Sequence, residues 1–225
     1  IRVSEDSLDI LHGKGNMWQS GKVMSGNNRT VYAGKALKPR TRYYWSVDVY
    51  NQYGELYTPS SRFAWFETGK MGEPWNADWI SDSEDTLQLS APYFRKEFTI
   101  SRPVADARIY LAAGGLADLW INGNRADSTL LNPMFTQYDK RCLYMTYDVT
   151  RCLNEGGNAV GIVLGNGWYN FQSHAVWNFE TAPWRNRPTF MLELVVRYQD
   201  GSCERIKSDT SWKTSFGPIV FNSIY

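Results

Sequence analysis

Alternation of apolar and polar residues limits the fold of this chain more than any other feature. Ala107-Arg-Ile-Tyr-Leu-Ala-Ala113 alternates, and Arg42-Tyr-Tyr-Trp-Ser-Val-Asp-Val-Tyr50 sets Tyr43, Trp45, Val47 and Val49 on one face. A side-chain period of two belongs to a half-buried strand. Segments with apolar residues at helical spacing are scarce. Further strands are expected at residues 63–68, 93–100, 116–121, 140–150, 159–164, 190–198 and 202–207, with Trp212 in the next. Asn122-Gly123 is the strongest short hairpin signal, and Gln199-Asp-Gly201 marks a second. Asp148-Val-Thr150 opens a short helical turn. Strands at regular spacing with turns between them argue a β-sandwich of jelly-roll type from residue 91 onward. The strands before Gly69 are too few to close a sandwich. The expected class is therefore all-β, an incomplete sandwich followed by a complete one.

Composition excludes some partners. The formal net charge is +1, with Lys and Arg scattered among Asp and Glu. No basic stripe exists to neutralise phosphates, so nucleic acid is not an expected partner. No apolar run approaches the ~20 residues that span a bilayer as a helix. Cys142, Cys152 and Cys203 show no zinc-like spacing. They read as three buried or half-buried thiols, or as one disulfide with a thiol left over. Residues 70–90 read as a junction, with Asp82, Glu84 and Asp85 solvated. Ile1-Arg-Val-Ser-Glu-Asp6 resembles mid-strand rather than a signal peptide, and Pro218 to Tyr225 stops as abruptly. The expectation is a piece of a longer protein.

The candidate site lies between Asn158 and Pro188. A short apolar strand, Ala159 to Leu164, runs into a glycine-hinged loop containing Trp168, Tyr169, Asn170, Trp177, Trp184 and Arg185. Aromatic faces stack on the C–H faces of sugars, while Asn and Arg bond to hydroxyls. Loops on a strand scaffold are where binding residues concentrate. The bland readings compete closely. Trp168 equally suits a plug at one end of the sandwich, because large aromatics also dominate cores. Arg185 and Arg187 suit pairing with carboxylates or stacking on rings, and His174 suits simple solvation. Trp45, Trp65, Trp120 and Trp212 read as core, and Asp118 and Asp148 as turn caps. Gly165-Asn-Gly167 is not a phosphate loop.

Two series of motifs carry a family resemblance. Leu37, Pro39, Thr41 and Tyr43 match the tyrosine corner of a fibronectin type III module, in which a tyrosine hydroxyl ties back to the backbone. The second series is ordered along the chain. It comprises Ala107-Arg-Ile-Tyr110, Ile121-Asn-Gly123, Tyr138-Asp-Lys-Arg141, Thr146-Tyr-Asp-Val-Thr150, Gly165-Asn-Gly-Trp-Tyr169, Arg187-Pro188 and Ser208-Asp-Thr-Ser-Trp-Lys213. Together they resemble the N-terminal domain of inverting bacterial α-L-rhamnosidases (glycoside hydrolase family 78). The resemblance implies a partial fibronectin type III-like module at 1–69, a junction at 70–90 and a rhamnosidase N-terminal sandwich at 91–225.

In that family the catalytic carboxylates lie in a downstream helical α/α barrel, so no catalytic residue is carried over. The whole protein is expected to cleave terminal α-L-rhamnose by inversion, with carboxyls ~6.5–9.5 Å apart. Its implied partners are rhamnose-containing glycans and that barrel, and its implied location is periplasmic or secreted. The family also implies a possible calcium ion on Asp127, with Asn132 nearby as an oxygen donor or sugar contact, although Ser128 stands where Asn or an acid is expected. No cofactor is otherwise required. Three functional readings stay open: an accessory part of a rhamnosidase, a free-standing carbohydrate-binding module, and a purely structural pair of sandwiches.

Overall fold

The computed structural model describes residues 1–58, 62–174 and 177–223. The chain forms two compact units, Ile1–Pro74 and Trp75–Tyr225.

The first unit holds β1 (Arg2–Ser4), β2 (Trp18–Gln19), β3 (Arg42–Ser46), β4 (Val49–Tyr50), β5 (Leu56–Thr58) and β6 (Ala64–Glu67). Its main sheet has the order β2-β1-β3-β6, and β4 pairs with β5. A short helix, α1 (Ser7–Leu11), was not expected. The Asp6 side chain starts it by accepting from the Leu8 N–H, an N-cap bond that a helix this short needs. The core is small: Val3, Met17 and Tyr43, with Trp18, Tyr32, Leu37 and Phe66 against them. Tyr43 is fully buried. Its hydroxyl accepts from the Lys38 N–H at 2.8 Å, which is the tyrosine corner read from the sequence.

Three tryptophans expected in the core are not there: Trp45 and Trp65 in this unit, and Trp120 in the second, which faces away from the inward residues Leu119 and Ile121. Trp45 is 37% exposed and Trp65 is 55% exposed. In the run Phe63-Ala-Trp-Phe66 adjacent residues are all apolar, so alternation cannot say which face turns inward. Phe66 opposes Tyr43 and takes the core side, which sends Trp65 to the other face opposite Tyr44. There the Arg42 guanidinium lies 4.2 Å from its ring centroid, a cation–π contact that suits an exposed face. Trp45 stands opposite Val3 in the neighbouring strand but is not a member of the cluster.

The second unit is a sandwich of two antiparallel sheets. Its strands are β7 (Pro92–Ile100), β8 (Val104–Gly114), β9 (Leu116–Ile121), β10 (Asn124–Arg125), β11 (Tyr144–Asp148), β12 (Gly156–Gly165), β13 (Thr189–Tyr198), β14 (Cys203–Lys207) and β15 (Lys213–Phe216). One sheet has the order β10-β9-β12-β7-β15, the other β11-β8-β13-β14. Alternation places Val160, Ile162 and Leu164 inward along β12, and Ala117, Leu119 and Ile121 inward along β9. They meet Ile109, Leu111, Leu192 and Leu194 from the facing sheet in one core. Trp212 is buried there as expected, just before β15. The turn at Asn122-Gly123 has φ of 52° and 83°, the double left-handed geometry of a tight hairpin.

β8 and β13 are the central strands of their sheet and are buried along nearly their whole length. Their outer face carries Tyr110 opposite Glu193. Trp75 meets Tyr144 edge-on at 5.7 Å on the neighbouring strand, and the Asn76 N–H donates to the Glu193 carboxylate. Residues 75–90 are therefore not a loose linker within this unit. The Asp78 N–H donates to the Ser208 carbonyl at 3.0 Å, and Ile80 forms a two-way backbone bridge with Phe190.

Replacing Tyr43 by Phe leaves the Lys38 N–H without its acceptor while keeping the ring. Urea denaturation of the first unit should show a loss of about 1–2 kcal/mol; an unchanged midpoint would show that the corner bond is not needed.

Candidate functional site

The loop from Asn166 to Pro188 leaves the end of β12 and returns to β13. Its first anchor is Asn166, which is fully buried. The Asn166 N–H donates to Asn222 Oδ1 at 3.0 Å, and its Nδ2 donates to the Asn222 carbonyl at 2.7 Å. The N–H groups of Tyr169 and Asn170 donate back to the Asn166 carbonyl, closing a tight turn. Asn170 is buried as well. Its Nδ2 donates to the Thr86 carbonyl and to Asn166 Oδ1, and its Oδ1 accepts from Arg185 Nε at 3.1 Å. Arg185 Nη1 donates to the Glu180 carbonyl. Asn170 and Arg185, both expected at a sugar, thus hold the loop to itself.

The second anchor is Arg187, whose side chain is 3% exposed against 5% for Asp82. Its Nε and Nη2 donate to both Asp82 oxygens at 2.7–3.2 Å. Nη1 and Nη2 also donate to the carbonyls of Gln88 and Ser90, both at 2.9 Å. Asp82 was expected to be solvated. It is buried because a buried guanidinium requires a paired charge, and the sequence distance between the two residues hid the partner.

The aromatics do come together. Trp168 stacks on buried Phe171 at 5.2 Å. Its other neighbours are Phe135 at 6.0 Å, Trp177 at 6.1 Å and Phe179 at 5.2 Å. Trp184 donates from Nε1 to the Trp168 carbonyl at 3.3 Å and meets Tyr138 and Phe179. Tyr169 meets Tyr138 edge-on at 5.1 Å. Its ring lies on Gly114, where a Cβ would come within 2.8 Å of it, so β8 needs glycine at its end. Trp168 links buried Phe171 to an outer rim, where Trp177 is 64% and Phe135 44% exposed. Phe135 and Tyr138 were not expected at this site, because they lie outside the loop; Phe179 lies within it.

Tyr138 and Tyr169 also wall a cleft of ≈ 580 Å³. Trp79, Glu84, Cys142 and Asn186 line it with them. Burial pushes the Cys142 thiol up. Cys142, Cys152 and Cys203 are all free. His174 is paired through Nδ1 with Glu180.

Asp127 and Asn132 form a second, separate cluster through Thr129. Asp127 Oδ2 accepts from the Thr129 hydroxyl at 2.7 Å, and Asn132 Nδ2 donates to that same hydroxyl oxygen at 2.7 Å. Beside them Arg125 donates to Asp118 at 2.8 Å and to the Thr129 carbonyl at 2.9 Å. Asp118 is therefore an ion-pair partner rather than a turn cap, whereas Asp148 does accept from the Thr150 N–H. Calcium takes six to eight oxygens. This loop offers the Asp127 carboxylate and the Asn132 carbonyl oxygen, with a guanidinium beside them. Among the described residues no group of three or more His, Cys, Asp or Glu gathers in the way a metal needs. A calcium ion here would have to draw most of its oxygens from backbone carbonyls and water.

Residues 102–225 match the family model described as the α-L-rhamnosidase N-terminal domain. The chain belongs to this family. Residues 1–72 match the N-terminal immunoglobulin domain of the Rha78A-like type. The fibronectin-like reading of that unit rested on the tyrosine corner, which immunoglobulin sandwiches also carry. An α-L-rhamnosidase of Formosa agariphila is 34% identical over 253 residues, covering 100% of this chain and 26% of that protein. The structure of an α-L-rhamnosidase from "Dictyoglumus thermophilum" has a TM-score of 0.87 at 36% identity and covers 100% of this chain and 26% of that one. One from Aspergillus terreus has a TM-score of 0.76 at 31% identity, over 84% and 22% of the two chains. The chain thus spans about a quarter of the length of the relatives it matches.

Burial also raises the hydroxyls of Tyr169 and Tyr138, the latter up to about 12. The folded state then favours the neutral phenol. That contribution is whole below the ordinary tyrosine value of about 10 and is lost as pH rises toward 12. Stability of the second unit should fall over this window, and Tyr138→Phe should flatten the fall in alkaline denaturation. An identical alkaline limb in the variant would contradict the assignment.

Proposed function

We propose that this chain is a non-catalytic, glycan-recognising part of an α-L-rhamnosidase. The whole protein would hydrolyse terminal α-L-rhamnose from rhamnosides with inversion, outside the cytoplasm, using carboxylates on a barrel that this chain does not contain. The observation that supports recognition is the aromatic rim. Asn170 and Arg185 are satisfied inside the loop, so the exposed rings of Trp177 and Phe135 are what the cluster offers a ligand. Ring faces of this kind suit the apolar face of a deoxysugar. The half-buried ring of Trp168 supports both of them from beneath.

A second reading, bracing without sugar, has its own support. Leu130, Leu131 and Met134 precede Phe135 and are 67%, 75% and 72% exposed. Contiguous exposed apolar residues also suit a protein contact. This reading keeps the same parent enzyme.

Calorimetric titration with L-rhamnose separates the two. Millimolar affinity is expected, since a monosaccharide buries little area against the cost of association. Trp177→Ala should weaken binding severalfold without altering the circular dichroism spectrum, because Trp177 packs only at the rim. Adding calcium is expected to leave the affinity unchanged; a calcium-dependent rise that is lost in Asp127→Ala would favour an ion at that residue. A flat trace at high sugar would favour bracing.

A further inference from the structure

The cleft beside the aromatic cluster is a different surface from the Trp177–Phe135 rim, and its chemistry is more selective. Its aromatic walls, Tyr138 and Tyr169, are half-buried and held in place, Tyr169 by Gly114 and both by their mutual edge-on contact. Trp79 is 46% exposed at its mouth. At ≈ 580 Å³ it falls in the size range of small-ligand sites, roughly 300–1,000 Å³. Its polar groups divide into two kinds. The Arg187–Asp82 pair lines it as well, but both side chains are nine-tenths buried or more and are already bonded to each other. Glu84 is exposed and has no ion-pair partner among the described residues. Asn186 Oδ1 accepts from the Arg187 N–H at 2.8 Å, which leaves its Nδ2 hydrogens available to a ligand.

The charge balance then selects the ligand. Asp82 cancels the guanidinium, and Glu84 adds an uncompensated carboxylate. An anion such as a uronic acid or a phosphate meets net negative charge and no free cation. A neutral polyol meets an acceptor for hydroxyl donors at Glu84, a donor at Asn186 and ring walls for its C–H groups. Cys142 contributes a soft surface, since burial keeps its thiol protonated and such a thiol behaves as a small apolar group.

We propose that this cleft binds one neutral saccharide unit, with Glu84 and Asn186 bonding its hydroxyls and Tyr138 and Tyr169 walling its apolar face. The proposal rests on the glycan-recognising reading above and names a subsite within it. Glu84 is exposed and its substitution leaves the fold intact; Asn186 is exposed too but also accepts from the Arg187 N–H, so circular dichroism accompanies that variant.

Methyl α-L-rhamnoside is the probe, followed by ligand-observed saturation-transfer NMR and calorimetry on the 225-residue chain, with D-galacturonate as the anionic control. Glu84→Ala and Asn186→Ala should each lower affinity roughly fivefold to tenfold, the usual effect of removing a hydrogen bond to a charged or polar partner. The galacturonate should give no saturation transfer, and Glu84→Gln should weaken rhamnoside binding less than Glu84→Ala does. Rhamnoside binding that survives both alanine variants but is lost in Trp177→Ala overturns the cleft and leaves the glycan-recognising reading standing. Absence of binding by the unaltered chain overturns both.

Discussion

Arg187 sits where three parts of the second unit meet: the end of the aromatic loop, the start of β13 and the segment from Asp82 to Ser90. Its guanidinium places hydrogen bonds on Asp82, Gln88 and Ser90 at once. A buried guanidinium without such partners would be strongly unfavourable. The path of residues 82–90 is therefore tied to the aromatic loop by charge as well as by packing. Thr86, inside that segment, in turn receives the side-chain amides of Asn170 and Gln172. The rings of Trp168 and Tyr169 are aimed by a scaffold that would come apart if the ion pair failed.

This arrangement explains why polar residues in an aromatic, sugar-like loop need not face sugar. Asn166, Asn170 and Arg185 bond to backbone and to each other, which fixes ring positions in a segment with little regular structure. A loop on a strand scaffold can be precise when its own amides replace the ladder bonds of a sheet. Tyr138 joins the two candidate surfaces: it walls the cleft and meets Phe135 of the rim, so a change there acts on both.

Much of the architecture was legible in the sequence. Strands such as Leu116–Ile121 were found with their bounds, because one buried face forces a period of two. The Asn122-Gly123 turn and the Tyr43 corner were legible because each needs particular residues. Alternation could not tell the inward face where apolar residues stand side by side, as at Trp65; it found β8 and β13 as strands but not that both their faces are covered. Asp82 and Arg187 lie 105 positions apart, and nothing local marks either as a partner of the other. Phe135 and Tyr138 stand outside the loop that carries the other rings, and so were left out of the expected site. The aromatic members Trp168, Tyr169, Trp177 and Trp184 gathered as their common loop suggested, while Asp127 and Asn132 form a cluster of their own.

Urea denaturation of Asp82→Asn combined with amide hydrogen exchange tests the dependence on this ion pair most directly. Loss of the carboxylate should cost about 3–5 kcal/mol, the usual effect of leaving a buried charge unpaired. It should also speed exchange at the Tyr169 and Asn170 amides that close the loop on Asn166. Unchanged stability with unchanged protection at those two amides would contradict the account.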